Sequence, residues 1–191
     1  MTDRPLNLSI IVGSSREGRF GPTIAQWFEA KARERAELAV HVVDTAETRL
    51  PATLGAPATH PSAAEATATL AESDAFVVVT PEYNHSYPGT LKNLIDSHYE
   101  QWQAKPVGFV SYGGVSGGLR AVEHLRAVFA ELHAVGIRDT VSFHNPWGHV
   151  DGTGALTGPP GADVAASVLL DRLTWWGTAL RDARTVRPYA G

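Results

Sequence analysis

The stretch Ala75-Phe76-Val77-Val78-Val79-Thr80 is a continuous run of apolar and β-branched side chains. A strand buried on both faces of a parallel sheet has this composition, whereas a strand with one wet face alternates apolar and polar residues. Similar short runs at 6–12, 38–43, 107–111 and 137–143 predict further strands. Between them, apolar residues recur every three or four positions, which predicts helices near 22–35, 62–72, 90–102 and 119–135 and a last helix after Gly161.

This alternation of strands and helices predicts a three-layer α/β sandwich, in which a parallel sheet lies between helices on both faces. The chain of 191 residues is the length of one domain, and we expect a single domain over 1–191. Its composition, 43% hydrophobic and 19% charged, is typical of a globular core and excludes a disordered chain.

The charge and the cysteine content exclude several classes of protein. With 16 basic and 20 acidic side chains the net charge is −4, so the chain lacks the basic surface that binds nucleic acid or anionic membrane. No apolar run approaches the ~20 residues of a membrane helix, and the N-terminus does not resemble a signal peptide. The chain has no cysteine, which excludes disulfides, thiolate metal sites and cysteine nucleophiles. We expect a cytoplasmic protein whose redox chemistry, if any, comes from a bound cofactor.

Open parallel sheets bind ligands beyond the carboxyl ends of their strands, so the loops after the first, third and fourth strands are the candidate site. The first loop reads Gly13-Ser14-Ser15-Arg16-Glu17-Gly18-Arg19-Phe20-Gly21-Pro22-Thr23. Its glycines, hydroxyl groups and arginines at the start of a helix predict a monophosphate site, although a polar turn that caps the helix is an equal alternative. The loop has neither the Gly-Lys-Ser/Thr of a Walker loop nor the glycine spacing of a dinucleotide fingerprint.

The two other loops predict a binding site for a flat heteroaromatic ring. The second reads Thr80-Pro81-Glu82-Tyr83-Asn84-His85-Ser86-Tyr87-Pro88-Gly89-Thr90 and combines aromatic side chains with hydrogen-bonding groups. Such a loop suits a heteroaromatic ligand, whose face needs cover and whose edge needs donors. The third reads Ser111-Tyr112-Gly113-Gly114-Val115-Ser116-Gly117-Gly118, and its glycines indicate a close approach of the backbone to a ligand or a tight turn.

These three motifs, in this order, resemble the NADPH-dependent FMN reductase family, which includes quinone, azo-dye and chromate reductases. The resemblance covers roughly residues 6–145, and the second loop with the helix that follows it is its most specific part. It implies a flavodoxin-like fold, a five-stranded parallel sheet with the strand order 2-1-3-4-5.

The resemblance also implies which residues bind FMN. The first loop would hold the phosphate through Ser14, Arg16, Arg19, Phe20, Gly21 and Thr23. The second would border the isoalloxazine ring and the ribityl chain through Pro81, Glu82, Tyr83, Asn84 and His85. The third would close on the pyrimidine edge of the ring through Ser111, Tyr112, Gly113, Gly114 and Gly117. The first loop departs from a common pattern of the family, in which a serine precedes the helix.

The implied activity is hydride transfer from NADPH, or NADH, to N5 of FMN and then to a small acceptor in a ping-pong cycle. The acceptor would be a quinone, free flavin, an azo compound or a metal oxyanion. Because the cofactor carries the chemistry, no catalytic side chain and no metal ligand is expected. Arg49 or Arg120 is a candidate for the 2′-phosphate of NADPH. The family also implies a homodimer or homotetramer, with Tyr99 and Trp102 either at its interface or in the core.

Three alternatives stay open. Residues 114–118 match the Gly-x-Ser-x-Gly pattern of serine hydrolases, with Asp139 and His144 or His149 downstream of Ser116, although Ser116 lies too far beyond its strand for a tight nucleophile turn. An electron-carrier flavodoxin would usually be more acidic than −4. A metal site around His144, His149 and Asp151 lacks ligand pairs at helical spacing, and an exposed loop is the better interpretation.

Overall fold

The predicted strands pair in parallel into one sheet. A computed structural model describes residues 4–190, in which the strands are β1 (Leu6–Val12), β2 (Leu38–Asp44), β3 (Ala75–Pro81), β4 (Pro106–Gly113) and β5 (Val135–His144). Their order is β2-β1-β3-β4-β5, with every neighbouring pair parallel. The predicted α/β class and strand order are therefore confirmed.

Within residues 4–190, five helices connect the strands and cover both faces of the sheet. They are α1 (Gly21–Arg33), α2 (Pro61–Glu72), α3 (Gly89–Asp96), α4 (Leu119–Glu131) and α5 (Ala162–Val186), with a single 3₁₀ turn at Pro146–Gly148. One core cluster packs α1 and α5 against the sheet, and a second packs α2, α3 and α4 against the opposite face. No helix within residues 4–190 is long and apolar enough to cross a membrane.

The helix after the second loop is shorter than predicted. It ends at Asp96 rather than near residue 102. Ser97 caps the helix, and the residues after it form irregular turns. Trp102 then folds back under the helix, fully buried, and its indole Nε1 donates to the carbonyls of Ile95 and His98 at 3.1 and 2.8 Å. Trp102 is thus a core residue, whereas Tyr99 is 49% exposed.

The apolar repeats within 119–135 and after Gly161 predict inward positions for three side chains that the structure exposes instead. Leu119 is 44%, Val164 68% and Trp176 38% exposed. The buried stripe of α5 runs through Leu169, Leu170, Leu173 and Gly177. At 3.6 residues per turn, Trp176 lies beside that stripe and Val164 lies on the opposite side of the helix. The helix predicted over 119–135 ends at Glu131, since His133 adopts a left-handed conformation with φ of 60°.

The topology brings the three candidate loops to one edge. In the central part of the sheet β1, β3 and β4 are neighbours, with Val12 paired to Val79 and Pro81 paired to Tyr112. The carboxyl ends of these strands therefore lie side by side, at the position where parallel sheets of this kind bind ligands.

Candidate functional site

The first loop buries a hydroxyl group that has no partner. Ser14 has no exposed surface, and its Oγ makes no hydrogen bond to any described residue. Gly21 begins α1 directly beside it: a Cβ at this glycine would overlap Ser14 Oγ and lie 3.0 Å from the hydroxyl of Tyr112. A buried hydroxyl without a partner costs free energy, so this group is poised to complete a hydrogen bond with a ligand.

Arg19 is held by Asp44, at the end of β2. The two side chains form a bidentate ion pair, in which Nη2 lies 2.7 Å from Oδ2, and Arg19 also donates to the carbonyl of Ser14 at 2.6 Å. The hydrogen bond that Arg19 donates to Asp44 raises the pKa of the guanidinium. The guanidinium therefore braces the backbone of the first loop, while Arg16 is exposed and lies over the ring of Tyr83, 5.7 Å from its centroid.

We expect Asp44→Asn to destabilise the protein by about 1–2 kcal/mol. The side chains of Arg19 and Asp44 are 17% and 21% exposed, so loss of the carboxylate leaves a largely buried cation with a weaker partner. Asp171→Asn is the control, since Asp171 pairs with Arg35 at 2.6 Å but is 60% exposed. That change should cost less than about 1 kcal/mol. Urea unfolding measures both, and equal losses would show that the ion pair of Arg19 does not brace the loop.

The second loop is a tight turn. Tyr83 and Ser86 exchange two backbone hydrogen bonds of 2.8 and 3.1 Å, and the residues between them, Asn84 and His85, have φ of 49° and 74°. Positive φ at both central positions is the property of a type I′ turn, for which asparagine is well suited. The turn holds Tyr83 at the sheet edge, where it contacts Arg16.

The third loop is folded tightly on itself. Gly117 and Gly118 have φ of 60° and 85°. The carbonyl of Gly117 accepts hydrogen bonds from the hydroxyls of Ser111 and Ser142, at 2.8 and 2.9 Å. The hydroxyl of Ser111 is therefore used within the protein. Gly114 and Val115 are the exposed part of the loop, whereas Gly113, Gly117 and Gly118 are buried.

The carboxylate of Glu82 joins the second loop to the third. It accepts from Ser116 Oγ at 2.5 Å and from the backbone N–H of Arg120 at 3.2 Å, and it pairs with the guanidinium of Arg120 at 3.1 Å. The side chain of Glu82 is only 9% exposed. Arg120 also lies 3.2 Å from Nδ1 of His85. Sequence reasoning missed this link, because its members are more than thirty positions apart.

The same contacts do not fit a serine hydrolase. The hydroxyl of Ser116 donates to a carboxylate, not to a histidine. His144 hydrogen-bonds the carbonyl of Val115 through Nδ1, and Asp139 lies near Arg138 and Arg172. No cluster of three or more metal-binding side chains occurs within residues 4–190.

An aromatic group closes one side of the first loop. The ring of Phe20 lies 6.3 Å from Tyr112 and 6.3 Å from Trp147, which belongs to the long segment after β5. Burial raises the pKa of Tyr112 to about 12, and the neighbouring Ser14 hydroxyl acts in the opposite direction. The sequence alone did not indicate that Trp147 reaches this loop.

The loops also contact one another directly: Ser15 Oγ lies 2.9 Å from Thr90 Oγ1, the second residue of α3. The sequence pattern of NADPH-dependent FMN reductases matches residues 6–148, which include all three loops. The chain belongs to this family. The predicted family and the predicted class of enzyme, a flavin-dependent oxidoreductase, are confirmed.

Two curated members of the family are similar in sequence. The NAD(P)H-dependent FMN reductase C4B3.06c of Schizosaccharomyces pombe is 36% identical over 117 residues, which span 57% of this chain and 58% of that protein. The quinone reductase of Escherichia coli K12 is 32% identical over 139 residues, 68% of this chain and 72% of that protein. FMN and reduced nicotinamide nucleotides are thus the cofactors of the family, as predicted.

A solved structure confirms the flavodoxin-like fold of this family member. The flavoenzyme NAD(P)H:(acceptor) oxidoreductase FerB of Paracoccus denitrificans superimposes with a TM-score of 0.71 and covers 91% of this chain and 98% of its own. At 23% identity the similarity shows the fold alone.

The first loop fits the phosphate of FMN. Ser14 offers an unpaired hydroxyl, Gly21 lets the start of α1 pack directly against that hydroxyl, and the first turn of α1 carries no acidic residue. The unpaired N–H groups and the positive end of the helix dipole attract an anion to such a terminus.

Proposed function

We propose that the protein binds FMN and transfers hydride from NADPH, or NADH, through N5 of FMN to a small acceptor in a ping-pong cycle. FMN, when bound, supplies the position that accepts and then releases the hydride. The observation that carries the proposal is the buried, unpaired hydroxyl of Ser14 beside Gly21, at the start of α1 and at the edge where three loops meet.

Each loop has a part in holding the cofactor. The phosphate is bound by Ser14, Arg16, Phe20, Gly21 and Thr23. Arg19 acts through the Ser14 carbonyl as a positioning residue, since its guanidinium is already paired with Asp44. The ring and the ribityl chain lie against Pro81, Glu82, Tyr83, Asn84 and His85. The pyrimidine edge meets Ser111, Tyr112, Gly113, Gly114 and Gly117.

The protein contributes position and electrostatics rather than an acid or a base. The exposed backbone of the third loop offers N–H groups to the ring edge, where negative charge develops on reduction. Glu82 fixes the distance between the second and third loops through Ser116 and Arg120. A quinone is the acceptor that the similarity to the Escherichia coli enzyme favours, and free flavin, azo compounds and metal oxyanions are the other members of the class.

The visible absorption spectrum tests the proposal. FMN is added, unbound flavin is removed by desalting, and NADPH is then added without oxygen. We expect the protein to retain flavin, and we expect the flavin absorbance to disappear rapidly after NADPH is added. Retained flavin that neither nicotinamide bleaches would indicate an electron carrier. If flavin is not retained and NADPH is not oxidised, the proposal is wrong, and an esterase assay with Ser116→Ala as its control would follow.

A pair of serine variants sharpens this test. Ser14→Ala should weaken FMN binding about 10-fold, because one hydrogen bond to a charged phosphate is lost. Ser15→Ala is the matched control in the same loop, since its hydroxyl contacts Thr90. A titration of flavin fluorescence gives both dissociation constants, and equal values would contradict the role of Ser14.

We propose further that 1–191 form one domain, that it acts as a homodimer or homotetramer, and that its acceptor is a small molecule rather than a nucleic acid or a membrane. A single sheet with a core on each face supports the one domain. The exposed side chains of Val164, Trp175 and Trp176 on α5 support self-association. The proposed location is the cytoplasm, where NADPH is available. Light scattering of the purified protein measures the oligomeric state.

A further inference from the structure

A shallow cavity of about 470 Å³, open to solvent, lies at the amino ends of the strands, far from the three loops. We call this site the basic cavity. The charged residues that line it are Arg4, Glu72, Asp74, Lys105, Arg181 and Arg184. Asp74 directly precedes β3 and Lys105 directly precedes β4. The strands are about seven residues long, so this site lies about 20 Å from the carboxyl edge.

The basic cavity holds more positive than negative charge. Among the described residues, four cations face two carboxylates, which leaves 4 − 2 = +2 in a chain whose net charge is −4. The carboxylate of Asp74 pairs with three guanidinium groups, at 3.1 Å from Arg4, 3.6 Å from Arg181 and 3.3 Å from Arg184. The side chain of Asp74 is 4% exposed. A single carboxylate cannot neutralise three cations, and like charges so close together repel.

Backbone carbonyls accept hydrogen bonds from these cations but carry no countercharge. Lys105 Nζ donates to the carbonyls of Leu70 and Ala71, in the last turn of α2, where a cation complements the helix dipole. Arg184 donates to Ala104, and Arg181 donates to the carbonyls of Arg4 and Pro5. These bonds satisfy donors without cancelling charge.

A second observation indicates a missing partner. Arg181 is 8% exposed, and its Nε is buried with no hydrogen-bond partner among the described residues. Burial, and after it the charge of Arg184, lower the pKa of Lys105 to about 8, while burial lowers that of Arg184. Both shifts have the direction expected of cations that lack a sufficient counter-charge.

We propose that the basic cavity binds a phosphate-bearing anion, in a second site separate from the flavin loops. Guanidinium groups bind phosphate oxygens with paired, charge-assisted hydrogen bonds, and a multivalent anion would balance the two excess charges. The volume exceeds that of one phosphate and lies in the range of small-molecule sites. The ligand is therefore a pyrophosphate group, either free or carried by a nucleotide.

Thermal unfolding with saturating FMN present tests this site, because FMN keeps the probe from the first loop. Inorganic pyrophosphate and ADP are compared with sodium chloride of equal ionic strength. At ten times its dissociation constant the ligand should raise Tm by about 3–6 °C. A larger shift with ADP identifies a nucleotide, and equal shifts identify the phosphates alone. No shift beyond that of sodium chloride overturns the proposal.

A matched pair of arginine variants locates the effect. Arg4→Ser removes a cavity cation whose side chain is 49% exposed, so the fold should persist, and the apparent dissociation constant should rise about 10-fold. Arg33→Ser makes the same change in charge at a side chain that is 55% exposed and pairs with Glu29, outside the cavity. This control should bind as the unaltered protein does. If both variants keep the full shift, the anion binds elsewhere and the proposal fails, whether or not FMN binds as proposed.

Discussion

Replacing Gly118 with alanine is expected to lower the free energy of unfolding by about 2–5 kcal/mol. Gly118 caps the amino end of α4 with φ of 85°, a conformation that costs an L-residue about 1–2 kcal/mol. The added Cβ would lie 2.7 Å from Cβ of Ser111 and 2.8 Å from the backbone nitrogen of Tyr112. Both atoms belong to β4 and cannot move aside, so overpacking adds about 1–3 kcal/mol.

Gly161 offers a control with the same backbone conformation at the same position of a helix. It caps α5 with φ of 86°, but a Cβ built there has no neighbour within 4 Å. Gly161→Ala should therefore cost only the conformational part, about 1–2 kcal/mol. Urea unfolding of the two variants isolates the steric part as their difference. Equal losses would mean that the third loop is not packed against β4 as the structure shows.

The same contact matters for the proposed activity. Gly118 lies between the end of the third loop and α4, and the carbonyl of the preceding Gly117 is held by two serine hydroxyls. A shift of Gly118 moves the backbone that is proposed to meet the ring edge. We expect Gly118→Ala to retain less flavin than Gly161→Ala does.

The fold was predictable because its signals are local. A buried parallel strand is a run of apolar residues and a surface helix repeats every 3.6 residues, so the elements follow from short windows of sequence. The predicted helix ends are wrong where tertiary packing overrides the local preference of the sequence. The turn at Ser97 ends α3 early, since it lets Trp102 return to the core, and no pattern within the helix foretells this contact.

The meeting of the three candidate loops at one edge of the sheet was predictable, but the contacts among their side chains were not. The order of the strands alone brings the loops together. The partners of its charged groups depend on residues far apart in sequence: Arg19 with Asp44, Glu82 with Ser116, and Phe20 with Trp147. The role of Arg19 shows the consequence, because its spacing predicts a phosphate ligand while its ion pair makes it a brace for the loop.

Gly21→Ala is expected to weaken FMN binding at least about 10-fold, which corresponds to about 1.4 kcal/mol. Alanine at the start of a helix normally does no harm, and here φ is not in the left-handed region. The added Cβ would nevertheless overlap Ser14 Oγ and lie 3.2 Å from Cγ1 of Val12. Ser14 must then turn away or the loop must shift, and either change removes the hydroxyl from the proposed phosphate position.

The glycine that begins α3 provides the matched control. Gly89 occupies the equivalent first position of its helix, but a Cβ there meets nothing within 4 Å. Gly89→Ala should leave the dissociation constant of FMN unchanged and stabilise the fold by about 0.4–1 kcal/mol, because the unfolded chain loses freedom. Calorimetric titration with FMN compares the two variants. If Gly21→Ala binds FMN as tightly as Gly89→Ala, the phosphate does not lie at Ser14, and the first loop has only a structural role.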